Sequence, residues 1–228
     1  PDILVDNRIN FWNKWDVHMN HLRSLVSPVL LLLTSCSIPD LNDENILVEA
    51  KKEAIELSTL TKEFMYGMMW LYVDDKNETF TGWVKETHTN QNIKLLGYLK
   101  KGQKQGLWIS WHENGKIHNK SGWHYDYYQG VYETWYPNGK QRVSGQTFDG
   151  EMNGEWNQYY LNGNRHFHSM HDLGKIVAKK VWKVDGQLCP ESNVENGNGS
   201  FIEYDENGTR IDKHIYQNGV RVKESVSE

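Results

Sequence analysis

A ten-residue pattern that returns at a fixed interval constrains this chain more than any other feature of its sequence. It reads Gly106-Leu-Trp-Ile-Ser-Trp-His-Glu-Asn-Gly115, then Gly130-Val-Tyr-Glu-Thr-Trp-Tyr-Pro-Asn-Gly139, then Gly154-Glu-Trp-Asn-Gln-Tyr-Tyr-Leu-Asn-Gly163, each copy 24 residues after the last. Within a copy, an aromatic follows the opening Gly by two residues, a second aromatic comes three further on, and Asn-Gly closes the unit. Downstream, Val181-Trp182-Lys183-Val184-Asp185-Gly186 follows after 23 residues and Gly199 to Gly208 after 22 more. Upstream, Gly82-Trp83 to Asn90-Gln91 precedes the first clear copy by 24 residues, with Gln in the turn position. A second Gly recurs 11 residues after the turn, at Gly102, Gly150, Gly174, Gly197 and Gly219, and only the copy with Asp126 lacks it. Six units therefore fill residues 82–222, and such a period marks a repeat array rather than an ordinary globular domain.

Asn-Gly between aromatic and β-branched residues predicts a hairpin with a type I′ turn, whose two central positions need positive φ. Gly115, Gly139, Gly163, Gly186 and Gly208 are then structural turn residues. The second Gly, preceded by Asp149, Asn196 or Asn218, supplies the next reversal. The expected fold is mainly β: an elongated, single-layer antiparallel meander of about twelve repeat strands, with a short N-terminal helix, some 55 Å long at roughly 4.8 Å per strand. The two rings of a unit, such as Trp108 with Trp111, are three apart and fall on opposite faces of a regular strand. Either both faces carry rings, or a bulge realigns them.

Gly130 to Lys140 reads Gly-x-aromatic-x-x-aromatic-aromatic-x-Asn-Gly-Lys at every position, and Gly106 to Lys116 differs only by His112. This pattern resembles the bacterial variant of the MORN repeat. The resemblance implies an elongated, twisted sheet of successive hairpins that acts as a binding or scaffolding module without catalysis. Some proteins carrying that variant are labelled antitoxins.

The N-terminal region has a different character. Residues 1–18 lack periodicity and are expected to be an extension upstream of the natural start. Met19 opens a short segment with Arg23, followed by an apolar run from Leu25 to Leu33, the layout of a secretory signal over residues 19–35. Leu33-Thr34-Ser35-Cys36 resembles a bacterial lipobox, which implies lipidation of Cys36 and a membrane-anchored protein of the bacterial cell envelope. An apolar run this short does not span about 30 Å of hydrocarbon, whereas two or more acyl chains make a durable anchor at about 0.8 kcal/mol per buried methylene. Residues 36–45 read as a polar tether. Residues 46–64 read as an amphipathic helix with Leu47, Ala50, Ala54 and Leu57 on one side, capped by Asn42 or Asp43 and covering one end of the sheet. Residues 65–81 read as a leading hairpin turning at Asp74 to Asn77, and residues 223–228 as a charged tail.

Composition and motifs bound the chemistry. With a formal charge of −5 and no basic stripe, the chain has no electrostatic footprint for nucleic acid. Lys100, Lys101 and Lys104 form its densest basic cluster and read as a solvated strand end. No nucleophile motif, His-Glu-x-x-His or phosphate loop occurs, which points to a non-enzyme without a cofactor. Glu113, Glu133, Glu155 and Glu203 recur within the repeats and read as solvated; a glycan hydrolase using such carboxylates beside the rings is the enzymatic alternative. His166 and His168 share a face on a strand and are weak metal candidates needing further ligands. Cys189 reads as an inert loop cysteine.

The expected function is that of an interaction scaffold for a protein or glycan partner, with an antitoxin-like or immunity-like protein as the alternative. The candidate binding face comprises Trp108, Trp111, Tyr132, Trp135, Trp156 and Tyr159. Because a one-layer sheet cannot bury rings on both faces, either Trp108-Tyr132-Trp156 or Trp111-Trp135-Tyr159 is expected to face water.

Overall fold

The computed structural model describes residues 38–65 and 69–222. The upstream extension, the signal segment, Cys36 and the charged tail lie outside the described residues. A short helix, α1 (Glu44–Glu53), precedes β1 (Ile55–Glu56), β2 (Thr61–Met65) and β3 (Met69–Val73). The repeat hairpins are then β4 (Gly82–Thr87) with β5 (Ile93–Lys100), β6 (Gln103–Trp111) with β7 (Ile117–His124), and β8 (Tyr127–Trp135) with β9 (Gln141–Phe148). They continue as β10 (Glu151–Tyr159) with β11 (Arg165–Asp172), β12 (Lys175–Trp182) with β13 (Leu188–Glu195), and β14 (Asn198–Tyr204) with β15 (Arg210–Gln217), before β16 (Val220–Val222).

From β4 to β16 every strand pairs antiparallel with the next, and β1 joins the outer edge of β4 in parallel to complete a 14-stranded sheet. The meander and its six hairpins are thus as the period predicts. Among the described residues, no helix is long and apolar enough to cross a membrane.

The turns exchange roles relative to expectation. At the Asn-Gly pairs that close the three clear copies only the Gly has positive φ, 80° at Gly115, 90° at Gly139 and 97° at Gly163, whereas Asn114, Asn138 and Asn162 do not. The Gly115 N–H donates to the His112 carbonyl (2.9 Å) and the His112 N–H to the Lys116 carbonyl (2.8 Å), which closes a three-residue loop ending in a Gly bulge. The Asn side chain is the reason. Its Oδ1 accepts the N–H two residues on, at 3.1 Å for Lys116, 2.9 Å for Lys140 and 2.8 Å for Asn164. Its Nδ2 reaches the next turn, as from Asn114 to the Pro137 carbonyl (2.8 Å). The type I′ turns are the second reversals, with φ of 50° and 84° at Asp149-Gly150 and 43° and 81° at Leu173-Gly174.

The opening Gly of each of the three clear copies marks a bulge. Tyr98 pairs with Gln105 but Leu96 with Ile109, so β6 carries two extra residues where Gly106 takes φ 68°. The bulge precedes both rings of the unit, and the pairing from Leu107↔Gly122 to Ser110↔Asn119 is regular. Trp108 and Trp111 therefore lie on opposite faces, and both faces carry rings.

The segment before the array wraps its first hairpins. Asp43 caps α1 through Oδ1, and Ala50 and Ala54 pack with Leu41, Leu96, Leu107 and Ile109 on what is here termed the helix face. Three expectations are corrected by this packing. The supposed tether contributes Leu41, only 2% exposed, to a core. The helix covers a face rather than an end of the sheet. It also stops at Glu53, because Ala54 is already extended and the chain crosses the edge as β1, pairing Ile55 with Val84. That crossing satisfies the open edge of β4. Leu57, assigned from sequence to the helical stripe, then packs with Leu60, Tyr72 and Phe80 on Val84, Leu99 and Trp108 of the opposite face. The leading hairpin is also displaced: β2 pairs with β3, Thr61 opposite Val73 and Met65 opposite Met69, while Asp74 to Asn77 form a second turn.

Farther on, twist accumulates until the sixth turn meets the third hairpin, where the Arg142 guanidinium pairs with Glu206. A separate core of Ile176, Val181, Cys189, Val194, Phe201 and Ile202 holds the last hairpins.

Candidate interaction faces

Adjacent units are joined by a polar ladder along the Asn-Gly edge. The residue after the second ring position, which is Thr87 in the first unit, reaches a backbone carbonyl in the next unit: His88 Nε2 to Trp111, His112 Nε2 to Trp135, Tyr136 OH to Tyr159 and Tyr160 OH to Trp182, all at 2.9 Å. A carbonyl only accepts, so His88 and His112 carry a proton on Nε2. The motif's closing Lys adds a second rung, with Lys116 Nζ on the Asn138 carbonyl (2.7 Å) and Lys140 Nζ on that of Asn162 (2.6 Å).

The six ring residues singled out from the sequence divide between the two faces. Trp108 and Trp156 lie on the face opposite the helix, 2% and 6% exposed, and Tyr132 between them is half-buried. Small residues make room for them. Ser121 stands between Trp108 and Tyr132 in the register, Gly145 beside Tyr132. A Cβ on Gly97 or Gly145 would overlap the indole of Trp108 or Trp156. The Trp156 indole N–H donates to the Gln146 carbonyl (3.0 Å). This set does not face water, and its burial follows from Leu57, Leu60 and Tyr72 covering the first hairpins while Trp123, Tyr128 and Tyr132 pack ring on ring at centroid spacings of 4.0 and 5.5 Å.

Trp111, Trp135 and Tyr159 occupy the helix face and are each half-buried. Trp111 sits under α1, with Lys51 Nζ 5.5 Å from its ring. Beyond the helix, Trp135 and Tyr159 continue to Trp182, whose ring lies under the Arg165 guanidinium at 5.3 Å. Beside these rings the face carries polar groups. Glu133 pairs with Ser144, Asn157 with His168 and His168 with Lys180, and Glu155 and Lys180 are exposed. Flat rings along one margin and hydrogen-bonding groups beside them suit an extended polar chain.

Two lysines on the opposite face escape a sequence reading. Lys104, expected at a solvated strand end, has its Nζ 4.6 Å from the Trp108 ring and 4.3 Å from Trp123. Burial lowers its pKa against the opposing pull of Asp126. Lys179 stands likewise between Phe167 (4.1 Å) and Phe201 (3.8 Å), and burial brings its pKa down to about 8. The signal was present in the spacing, since Lys179 falls where the array places a ring.

The histidine pair does not converge on a metal. His166 stacks on Tyr160 at 4.3 Å, 7% exposed, and burial, followed by the charge of Lys179, lowers its pKa to about 4. Among the described residues no group of three or more His, Cys, Asp or Glu is placed to hold a metal. Cys189 is a buried free thiol 3.4 Å from the Tyr204 hydroxyl.

Residues 104–123 match the MORN repeat variant. The matched stretch runs from β6 through the Asn114-Gly115 turn into β7, one hairpin of the array. No curated protein matches the chain. The ladder bonds from Tyr136 and Tyr160 carry the geometry of the MORN-like hairpin into the units that follow it.

Proposed function

We propose that this chain is a non-catalytic interaction scaffold of the bacterial envelope, anchored by lipid at Cys36 and binding a protein partner across the helix face of its later hairpins. MORN repeats are in general interaction modules, and the matched hairpin supports that class. The observation that carries the reading is the half-buried margin Trp135-Tyr159-Trp182, continuous past the end of α1 and bordered by exposed Glu155 and Lys180. Half-buried rings that lie beside charged groups form the usual centre and rim of a binding surface.

Photo-crosslinking from position 159 in intact cells tests the surface. A discrete protein adduct is expected, weakened at least about tenfold by Trp135→Ala, with the variant still folded by circular dichroism. Adducts only to glycan, or none that responds to Trp135→Ala, would refute the proposed partner class. The anchor is tested separately by acyl labelling of Cys36→Ala, in which retained label would refute it.

A further inference from the structure

One unit breaks the ring register. Gly154-Glu-Trp156 becomes Val177-Ala-Lys179 in the next copy, yet the pairing is kept, since Ser169 lies opposite Trp156 on one side and Lys179 on the other. An amine thus replaces an indole within a stack of rings. Its Nζ is flanked by Phe167 and Phe201, and the nearest carboxylate acting on it, Glu203, is already bonded to His214 Nε2 at 2.6 Å. Lys179 also lines a cavity of about 270 Å³, whose wall includes Phe167, Val181, Phe201, Glu203 and His214.

We propose that Lys179 is a covalent binding site for a small apolar aldehyde, captured as an imine in this cavity. The Nζ lone pair adds to the carbonyl carbon while the C=O π pair moves to oxygen, and one N–H proton passes to that oxygen to give a carbinolamine. The hydroxyl then leaves with the second N–H proton as water, forming C=N. Amine and aldehyde become imine and water, without oxidant or reductant. The His214–Glu203 pair lies on the same wall, and the phenyl rings accept an apolar substituent.

The reaction needs the neutral amine, and the surroundings raise its share relative to an exposed lysine. Burial between the rings outweighs Glu203. The other charged or titratable groups around the cavity are His166, Tyr204, Tyr216 and Arg221, the last bonded to Asp212 at 3.1 Å. At pH 8 about half of such an amine is unprotonated, against about 0.4% of an ordinary lysine, roughly a hundredfold difference in reactive fraction. Partial burial of the amine reduces the observed advantage, and at least about tenfold should remain.

The experiment treats the full chain with benzaldehyde and cyanoborohydride, which reduces the imine to a stable benzylamine, and maps adducts by peptide mass spectrometry. At pH 8, Lys179 should be labelled at least about tenfold faster than exposed Lys101 and Lys175, with the advantage shrinking towards pH 10 as ordinary lysines deprotonate. In Lys179→Met, checked for folding by circular dichroism, only the slow background labelling should remain. Labelling of Lys179 at the rate of Lys101 or below would overturn the proposal. So would a fast adduct that persists at another lysine in Lys179→Met, or preferential capture of the anionic aldehyde glyoxylate.

Discussion

Removing one phenolic oxygen from the edge ladder tests whether these side chains hold the array together. Tyr160 is 1% exposed and donates its hydroxyl to the Trp182 carbonyl across the gap between the fourth and fifth hairpins, at 2.9 Å. Tyr160→Phe keeps the ring, its stack on His166 and nearly all of its apolar burial, so the change isolates the bond. A net hydrogen bond contributes about 0.5 to 1.5 kcal/mol, and leaving the Trp182 carbonyl short of a partner in a buried setting raises the loss to about 1 to 3 kcal/mol. For a folded region of this size, each 1 kcal/mol lowers the melting temperature by about 2 to 4 °C. Urea titration should show a lower midpoint with an unchanged slope. Because each hairpin contacts chiefly its neighbours, amide exchange should accelerate mainly in β12 to β16, with β4 to β9 protected as before. Tyr159→Phe, altering a half-buried ring with no such bond, should stay within about 0.5 kcal/mol of wild type. Stability of Tyr160→Phe indistinguishable from that control would refute the ladder as a source of cohesion.

Gly145→Ala should destabilise by about 1 to 3 kcal/mol or more, read by urea titration, because its methyl overlaps the buried Trp156 indole and the rigid strand pair leaves little room to shift. Leu173→Gly should stabilise by about 1 kcal/mol on a thermal melt, since Leu173 is 57% exposed at φ 43° and the relieved strain of about 1 to 3 kcal/mol exceeds the entropy cost of Gly. His166 titrates near 4 when folded against an ordinary 6.5, so the unfolded chain takes up its proton first. Its contribution is fully present above about pH 6.5 and is lost as pH falls to 4, by about 2 to 3 kcal/mol after allowing for screening. The loss of unfolding free energy between pH 7.5 and pH 4.5, read by urea titration, should be smaller in His166→Phe than in wild type by about 2 kcal/mol.

The period was enough to place the hairpins, because glycines and rings recur in register in most units even where Gln91, Asp126 or Lys179 replaces one. The conformation of individual turns was not legible in the same way. Asn-Gly suits a type I′ turn only when the Asn side chain is idle, and here Asn114 Oδ1 and Nδ2 both bond the neighbouring backbone, which holds the Asn outside the positive-φ region. Helical spacing likewise carried Leu57 into the helix, although the chain had to leave it at Ala54 to cross the sheet edge. That demand comes from an unpaired strand far along the sequence and leaves no local trace. Among the candidate face residues, spacing put Trp108 and Trp111 on opposite sides, but which side is covered depended on where α1 and residues 57–60 dock.

This division of coverage gives the two faces different capacities. Over the first hairpins both are occupied, by α1 on one side and by Leu57, Leu60 and Tyr72 on the other. Beyond them the described residues provide no second layer, and among these residues twist is what protects the remaining rings. It does so on one side only: the approach of Arg142 to Glu206 marks the side on which the turn edges close, and there Tyr136 and Tyr160 are buried. On the opposite surface Trp135, Tyr159 and Trp182 stay only half-buried and keep partial access to solvent. A lysine at the ring position of the fifth unit is tolerable only on the closing side, where Phe167 and Phe201 lie near enough to replace the water its amine gives up. Binding of an extended partner and capture of a small molecule would thus use opposite faces of the same strands, and β12 contributes to both, through Trp182 on the open face and Lys179 on the closed one.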